Sequence, residues 1–88
     1  MNVEFTKKFK KQFYFCKDKS IKSRVKTIIQ KSLESNSLSD IPGIKKLKGS
    51  KNCYRIRIGD YRIGLWAEKN TIIFATLDHR SQIYRYFP

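Results

Sequence analysis

The spacing of apolar residues changes once along the chain, near residue 43, and this change restricts the fold more than any other feature. Before it, five apolar residues recur at the spacing of one helix face: Ile21, Val25, Ile28, Ile29 and Leu33. After it, apolar and polar residues alternate over much of 53–77, as they do in half-buried strands. The segment between them, residues 36–43, contains proline and glycine and is typical of a connector. The chain therefore predicts an α+β fold in which helices precede most of a sheet.

Capping residues set the bounds of the predicted helices. Thr6 is a suitable cap for a helix over about residues 7–15, and Asp18 for a second helix that ends near Ser35. Strands are predicted at residues 2–5 (an edge strand), 45–48, 53–58, 61–67 and 71–77. The C-terminal tail has room for one helical turn at most. We expect one domain over residues 1–88, in which two N-terminal helices pack on one face of a small twisted antiparallel sheet.

A two-residue turn at 59–60 sets the register of the central hairpin. This turn pairs Arg57 with Arg62 and Arg55 with Gly64. On the side facing the helices, the register and strand alternation place an apolar set: Tyr54, Ile56, Ile58, Tyr61, Ile63, Leu65, Ile73, Ala75 and Leu77. The other side carries the three arginines, with Trp66, Ile72 and Phe74 alongside. Gly64 either leaves space there for a ligand or marks a bulge.

The pairing of Arg57 with Arg62 points to an anionic partner. Like charges directly opposite each other destabilise a ladder, and the chain has 20 Lys and Arg against 7 Asp and Glu, a net charge of +13. Guanidinium groups bind phosphate through two parallel hydrogen bonds. Solvated arginines on an open sheet face are the alternative interpretation. The clustering favours an anion site, with nucleic acid a better candidate than an anionic membrane.

Other classes of protein are excluded by what the sequence lacks. No apolar run approaches the ~18 residues that span a bilayer, and the N-terminus lacks the pattern of a signal peptide. Two cysteines and one histidine are too few for a disulfide framework or a zinc site, and the four glycines form no phosphate loop. We expect a reduced cytoplasmic protein with no metal, no small-molecule cofactor and no membrane partner.

Three segments resemble one known family: KLKG at 46–49, CYRIRIGDYRI at 53–63 and HRSQIY at 79–84. Together with the two preceding helices and the chain length, they resemble the RelE/ParE superfamily of toxins from type II toxin–antitoxin systems. The resemblance implies two N-terminal helices on an antiparallel sheet, and a cognate antitoxin that wraps the toxin. For the RelE-like branch it also implies cleavage of mRNA in the ribosomal A site.

The resemblance assigns catalytic roles to four positions. Arg57 and Arg62 would bind the phosphate as negative charge develops on it, while His79 or Tyr84 would transfer a proton. His79 follows the third long strand and is therefore expected near Arg62. Some members have lysine where this chain has Arg55 and Arg57, and arginine cannot accept a proton. Proton abstraction therefore falls to His79, to Tyr84 or to the ribosome. The expected reaction is metal-free: the 2′-hydroxyl attacks the adjacent phosphate and leaves a 2′,3′-cyclic phosphate and a 5′-hydroxyl.

The remaining candidate residues would bind RNA. Arg55 and Arg80, with Arg57, are expected to position the RNA backbone, and Trp66 or Phe74 to stack on a base. The expected partners are mRNA, the ribosome and a cognate acidic antitoxin that is at least partly disordered alone.

Two other functions stay open on the sequence. A ParE-like toxin shares the fold and inhibits DNA gyrase without being a nuclease, but such members generally lack the full set of basic, histidine and tyrosine groups. A non-enzymatic basic RNA-binding module of the double-stranded-RNA type needs a substantial helix after the third strand, and only eleven residues follow Leu77.

Overall fold

The computed structural model describes residues 1–88 as a sheet with helices on both of its faces. Along the chain the elements are β1 (Asn2–Phe5), α1 (Lys7–Phe15), α2 (Lys19–Glu34), a 3-10 turn (Leu38–Asp40), β2 (Ile44–Lys46), β3 (Cys53–Ile58), β4 (Tyr61–Glu68), β5 (Thr71–His79) and α3 (Arg80–Ile83). The predicted helices and strands are all present, with bounds that differ by at most a few residues. None of the helices is long and apolar enough to cross a membrane.

The five strands lie in the order β1-β5-β4-β3-β2. Strands β2 to β5 pair antiparallel, and β1 pairs parallel with β5, so the sheet is mixed. The predicted α+β fold, with helices on an otherwise antiparallel sheet, is confirmed. The direction of β1 was not predictable from hairpin rules because β1 is joined to its partner through the whole length of the chain.

The two long helices begin at the predicted caps and cover one face of the sheet. The Thr6 side-chain oxygen accepts a hydrogen bond from the Phe9 N–H at 3.0 Å, and the Asp18 carboxylate accepts one from the Ile21 N–H at 3.1 Å. The main core between helices and sheet consists of Phe9, Ile21, Val25, Ile28, Ile41, Ile56, Ile58, Ile63, Leu65, Ile72, Phe74 and Leu77. Burying each such side chain contributes about 1.5–3 kcal/mol, so this face dominates the stability of the fold.

A bulge between β4 and β5 exchanges the faces of the residues in β5. Gly64 pairs with Thr76, but the next residue, Leu65, pairs with Phe74, which leaves Ala75 without a partner. A shift of one residue turns each side chain to the other face of a strand. The predicted faces of Ile72, Ile73, Phe74 and Ala75 are therefore wrong: the helix side receives Ile72 and Phe74, both fully buried.

The second face of the sheet is partly covered by the C-terminal segment. Four buried side chains form a small core there: Cys53, Ala75, Ile83 and Phe87. The Phe87 ring occupies the space over Gly64, since a Cβ at Gly64 would lie 2.6 Å from Phe87 Cδ2. The glycine is thus needed for close packing beside the bulge, and the predicted space for a ligand is filled. The tail forms the single helical turn that was expected, α3.

A chain of polar contacts ties the C-terminal segment to α1 and β5. Gln12 Oε1 accepts hydrogen bonds from the Leu77 N–H at 2.9 Å and the Thr76 hydroxyl at 2.7 Å. The Gln12 amide donates to the Tyr86 hydroxyl at 3.1 Å, and that hydroxyl donates to Asp78 Oδ2 at 2.7 Å. These contacts satisfy the edge of β5 beyond the end of β1 and fix the path of the tail.

Candidate nucleic-acid interface

Three arginines share the sheet face opposite α1 and α2. Arg57 pairs with Arg62 and Arg55 with Gly64, as the two-residue turn predicted. The neighbouring Ile56 is fully buried under the helices, so alternation places the arginine side chains on the other face. The predicted register is confirmed, and Arg55, Arg57 and Arg62 together form one surface, the arginine face.

Arg62 both stabilises the β3–β4 turn and presents free donors. The residue is 7% exposed, and its Nη1 donates to the carbonyl oxygens of Gly59 at 2.7 Å and Tyr61 at 2.8 Å. No enclosed side-chain nitrogen or oxygen in the chain lacks a partner. The Nε and Nη2 groups of Arg62, which make no hydrogen bond within the chain, are therefore not fully enclosed. They can donate to an anion while Nη1 holds the guanidinium in place.

The other two arginines of this face differ in how they are held. Arg55 is half-buried, and its Nη1 donates to the Gly43 carbonyl at 3.0 Å. The same carbonyl accepts the Arg57 N–H at 3.3 Å, so the Arg55 guanidinium lies at the edge of β3 next to residue 57. The Arg57 side chain is exposed and makes neither a hydrogen bond nor an ion pair. Arg57 is thus the most available cation of the arginine face.

No carboxylate forms an ion pair with the arginine face. Asp78 lies directly across the ladder from Arg62 but comes within 4.0 Å of no cation, and its oxygens accept hydrogen bonds from the His79 N–H and the Tyr86 hydroxyl. The only ion pair joins Arg80 Nε and Asp60 Oδ1 at 3.7 Å, both largely exposed. Together with the hydrogen bond from the Arg80 N–H to the Asp60 carbonyl at 2.8 Å, it places Arg80 beside the β3–β4 turn.

His79 directly follows Asp78, the ladder partner of Arg62, so its backbone lies near Arg62 as expected, but its side chain lies on the helix side of the sheet. It pairs with Tyr61, whose ring meets the imidazole edge-on with centroids 5.8 Å apart. Strand alternation turns Asp78, and not His79, toward Arg62. His79 Nδ1 accepts the Ser81 N–H at 3.1 Å and caps α3. With Nδ1 accepting, the neutral imidazole carries its proton on Nε2, so it can donate there but not accept.

The three aromatic candidates occupy three different environments. Tyr84, at the end of α3, is 51% exposed and its hydroxyl makes no hydrogen bond. Trp66 packs against Phe87 with centroids 6.0 Å apart, four residues and about 13 Å along β4 from Arg62. Phe74 is fully buried, so its expected place beside the arginines is wrong because of the bulge in β5. Its ring packs against Phe5 at 5.6 Å and Phe9 at 5.5 Å.

Two tyrosines near this end of the sheet are held neutral. Burial, and then the proximity of Cys16 and Asp18, raise the pKa of Tyr61 above its usual 10.0. Burial also raises the pKa of Tyr86, and its hydrogen bond to Asp78 acts in the same direction. No three histidine, cysteine, aspartate or glutamate side chains lie close enough together to hold a metal ion.

Sequence reasoning missed a further cation, Arg24 of α2. A Cβ placed on Gly59 would lie 3.4 Å from Arg24 Nη1, so this guanidinium reaches the β3–β4 turn from the helix side. The helical spacing showed only that Arg24 lies outside the buried stripe, and such a residue is usually solvated. The signal could be found only once the packing of α2 against the end of β3 was known.

Comparison with known proteins identifies the family. A family model for the ParE toxin of the type II toxin–antitoxin system parDE matches residues 3–84. Toxin RelE3 of Methanocaldococcus jannaschii is 47% identical over 89 residues, covering 100% of both chains. The structure of a RelB–RelE antitoxin–toxin complex from Methanococcus jannaschii matches with a TM-score of 0.83 and 46% identity, over 98% of this chain and 100% of that chain.

More distant structures share the fold. The isolated E. coli RelE toxin matches with a TM-score of 0.71 at 20% identity, covering 96% of this chain and 90% of that chain. The resemblance inferred from the three sequence segments is thus confirmed over almost the entire chain. The protein belongs to the RelE/ParE superfamily and is a RelE-like toxin of a type II toxin–antitoxin system.

Proposed function

We propose that this toxin is a ribosome-dependent mRNA endoribonuclease that inhibits translation. The observation that carries the proposal is the arginine face, where Arg57 and Arg62 are paired across a hairpin and neither forms an ion pair with a carboxylate. The name RelE on a relative that is 47% identical over the whole chain supports the RelE-like branch of the superfamily. Two neighbouring guanidinium groups without an ion pair suit a phosphodiester that gains negative charge during reaction.

In the proposed reaction, the 2′-hydroxyl of a nucleotide attacks the adjacent phosphorus. A bond forms between O2′ and phosphorus, the bond from phosphorus to O5′ breaks, and the products are a 2′,3′-cyclic phosphate and a 5′-hydroxyl. Arg57 and the free nitrogens of Arg62 donate to the non-bridging oxygens. Because Gly59 and Tyr61 already orient the Arg62 guanidinium, little reorganisation is needed as charge develops. Arg55 and Arg80 flank this point and position the strand.

Of the two candidates for proton transfer, Tyr84 is favoured by its position. It follows α3, which packs on β4 and β5 at the sheet face that carries the arginines, and its hydroxyl has no partner within the chain. His79 lies on the other side of the sheet and is occupied as a helix cap. We assign to Tyr84 the donation of a proton to the leaving O5′, a step worth roughly 10²–10⁴-fold in rate. Removal of the 2′-hydroxyl proton is left to the ribosomal site. Trp66, packed on Phe87, is given no role.

The experiment that tests the function is induction of the toxin in cells, followed by mapping of transcript 5′ ends. Discrete new ends within codons are expected, together with arrest of growth. Arg57→Ala should abolish both, while Lys51→Ala, which removes an exposed cation from a distant turn, should abolish neither. Unchanged transcripts in arrested cells would overturn the proposal.

A second function is favoured by one observation: the matching family model is described as a ParE toxin. Inhibition of DNA gyrase without cleavage of RNA would give DNA damage and intact mRNA in the same experiment. The non-enzymatic double-stranded-RNA module is less suitable, because the helix after β5 has only 4 residues.

We further propose a cognate acidic antitoxin as partner, in the cytoplasm, where free thiols such as those of Cys16 and Cys53 are kept reduced. The net charge of +13 favours an acidic partner. Tyr14 and Phe15 of α1 are 74% and 71% exposed, beside an apolar groove whose rim includes Lys10 and Lys26. Such a patch suits the apolar residues of an acidic segment that folds on binding.

Co-expression with the neighbouring reading frame tests this partner. An acidic neighbour should restore growth and co-purify with the toxin. Replacing both Tyr14 and Phe15 by serine should weaken that complex, without loss of toxicity in the absence of the neighbour. A neighbour that neither binds nor restores growth would contradict the assignment.

A further inference from the structure

A cavity on the helix side of the β3–β4 hairpin is lined by cations from two different elements. It has a volume of about 390 Å³ and lies between α2, the turn before β2 and the end of β3. Its polar and turn lining consists of Arg24, Thr27, Lys31, Pro42, Gly43 and Arg57. Each charged residue of this lining is a cation.

The cations converge because of helical spacing and the position of α2. Residues 24, 27 and 31 lie on one face of α2, three or four residues apart, and buried Ile28 forms the floor beside them. Arg24 reaches Gly59 from one side, while Arg62 donates to the Gly59 carbonyl from the other. Arg57 belongs both to the cavity lining and to the arginine face, so the two surfaces meet at this residue of β3.

These cations have no partner within the chain. Arg24, Lys31 and Arg57 are exposed, and none makes an ion pair or a side-chain hydrogen bond. Three like charges around one cavity, without a carboxylate, destabilise the free protein. An anion bound there would relieve that repulsion.

We propose that this cavity binds a backbone phosphate of the RNA strand, next to the phosphate held on the arginine face. Arg24 and Lys31 are the binding residues, and Arg57 lies between the two phosphates. The proposal rests on the proposed function and extends it, since it directs the strand around the β3 edge toward α2. RNA suits this lining better than an acidic peptide does, because the cavity offers mainly cations and polar groups. The apolar groove that suits a protein segment is a different surface, between α1 and α2.

The test is binding of a fluorescent 12-nucleotide 2′-O-methyl oligouridylate to the purified toxin, measured by anisotropy over a range of salt concentrations. This probe lacks the attacking hydroxyl, so its binding is measured independently of cleavage. The Arg24→Ala/Lys31→Ala double variant should bind about tenfold more weakly than wild type. The slope of log K against log salt should fall in magnitude by about 0.7, as expected for the loss of one phosphate of a single strand.

The matched control is Lys7→Ala/Lys11→Ala, which removes the same charge from exposed positions of α1. Its affinity should change less than twofold. Thermal unfolding shows that both double variants are folded, and Arg24→Gln/Lys31→Gln serves if the alanine variant is not. Equal losses of RNA affinity in the two double variants would show only diffuse electrostatic attraction, and would overturn the proposed site.

Two competitors separate the alternative occupants. Inorganic phosphate and unlabelled RNA are compared at equal concentrations of phosphate groups. At the concentration at which RNA displaces the probe fully, inorganic phosphate should displace little of it. A poly-glutamate peptide should bind the Arg24/Lys31 variant as well as it binds wild type. The proposal would be overturned if inorganic phosphate displaced the probe as effectively as RNA does. It would also be overturned if the Arg24/Lys31 variant selectively lost binding of poly-glutamate. If the double variant binds RNA normally while Arg57→Ala abolishes cleavage, the phosphate site in the cavity is refuted but the proposed nuclease function is not.

Discussion

Arg62 shows how one side chain can serve both folding and chemistry. One nitrogen donates to the carbonyls of Gly59 and Tyr61, while the other two make no hydrogen bond within the chain. Charge-assisted hydrogen bonds of this kind are worth about 1.5–3 kcal/mol each to stability, with partial compensation by water when they are lost. Arg57 makes no such contacts. The two arginines therefore separate a structural effect from a functional one.

We expect Arg62→Ala to abolish growth inhibition and to lower the free energy of unfolding by about 1–3 kcal/mol. Arg57→Ala should abolish growth inhibition while changing stability by no more than about 0.5 kcal/mol, because an exposed side chain without contacts is removed. Urea unfolding of the purified variants and growth curves after induction provide the two measurements. A fully toxic Arg57→Ala variant would contradict the role given to the arginine face.

Tyr84 and His79 are distinguished by conservative substitutions. Tyr84→Phe keeps the ring and removes the proton that we assign to the leaving oxygen, so cleavage should fall by roughly 10²–10⁴-fold. His79→Asn keeps a side-chain oxygen that can cap α3, and should retain most of the activity. Single-turnover cleavage on programmed ribosomes measures both. The assignment fails if the asparagine variant loses activity and the phenylalanine variant does not.

At the scale of the element, local rules predicted most of what was observed. The caps Thr6 and Asp18, the helical stripe and the hairpin register depend on neighbours within a few residues, and these predictions are confirmed. The faces of β5 were not predictable, because residues 72–75 are all apolar and alternation gives no signal in such a run. The face of His79 was predictable, since it lies two residues after the correctly placed Leu77.

The candidate site shows the same division between local and tertiary information. Arg55, Arg57 and Arg62 were found because a tight turn determines which side chains share a face. Arg24 was missed because its contribution depends on how α2 lies across the sheet. The filling of the space over Gly64 by Phe87 depends on the return of the tail, which nothing near Gly64 in sequence specifies.

The packing of the tail on β4 is tested by Gly64→Ala. The added Cβ would lie 2.6 Å from Phe87 and 2.8 Å from Thr76 Cγ2, so the ring must move. Overpacking of this kind costs about 1–3 kcal/mol. In combination with Phe87→Ala, which alone destabilises by leaving a cavity, the glycine substitution should cost less, because the clash with the ring is gone and only that with Thr76 Cγ2 remains. Denaturant unfolding of the four proteins gives the coupling energy, and strictly additive effects would contradict the contact.

The Tyr86 contacts predict how the attachment of the tail depends on pH. Although 39% of this residue is exposed, its hydroxyl is enclosed by Thr76, Gln12 and Asp78, and its pKa is raised above the usual 10.0. The unfolded chain therefore loses this proton at a lower pH than the folded protein does. The stabilisation is complete below pH 10 and is lost as pH rises through the folded pKa.

Tyr86→Phe is the corresponding variant. It should lower the free energy of unfolding by about 1 kcal/mol at neutral pH, since partners lose a hydrogen bond, and should show a shallower fall than wild type above pH 10. Tyr84→Phe controls for the loss of a hydroxyl that makes no hydrogen bond. Parallel pH profiles for wild type and Tyr86→Phe, measured by urea unfolding, would show that the contact does not link protonation to folding.

At the scale of the whole molecule, charge opposes the fold that the two cores stabilise. The net charge is +13, only one ion pair forms, and the extents of the molecule are 32 × 28 × 22 Å. At 10 mM salt the Debye length is about 30 Å, so nearly all the cations repel one another across the molecule. At 100 mM salt it is about 10 Å, and only neighbouring cations interact. The free toxin is therefore expected to be least stable at low salt.

Raising NaCl from 10 to 100 mM should increase the melting temperature of the isolated toxin by about 4–8 °C, the shift that corresponds to ~1 kcal/mol in a domain of this size. Replacing Lys7 and Lys11 by glutamate lowers the net charge by four at exposed positions and should reduce this dependence. Differential scanning calorimetry at the two salt concentrations measures both effects. A melting temperature that is independent of salt would mean that the cations are already neutralised within the fold. In that case salt should also leave the affinity for RNA unchanged. A toxin that recognises polyanions through unpaired cations must instead gain stability and lose affinity for RNA as the salt concentration rises.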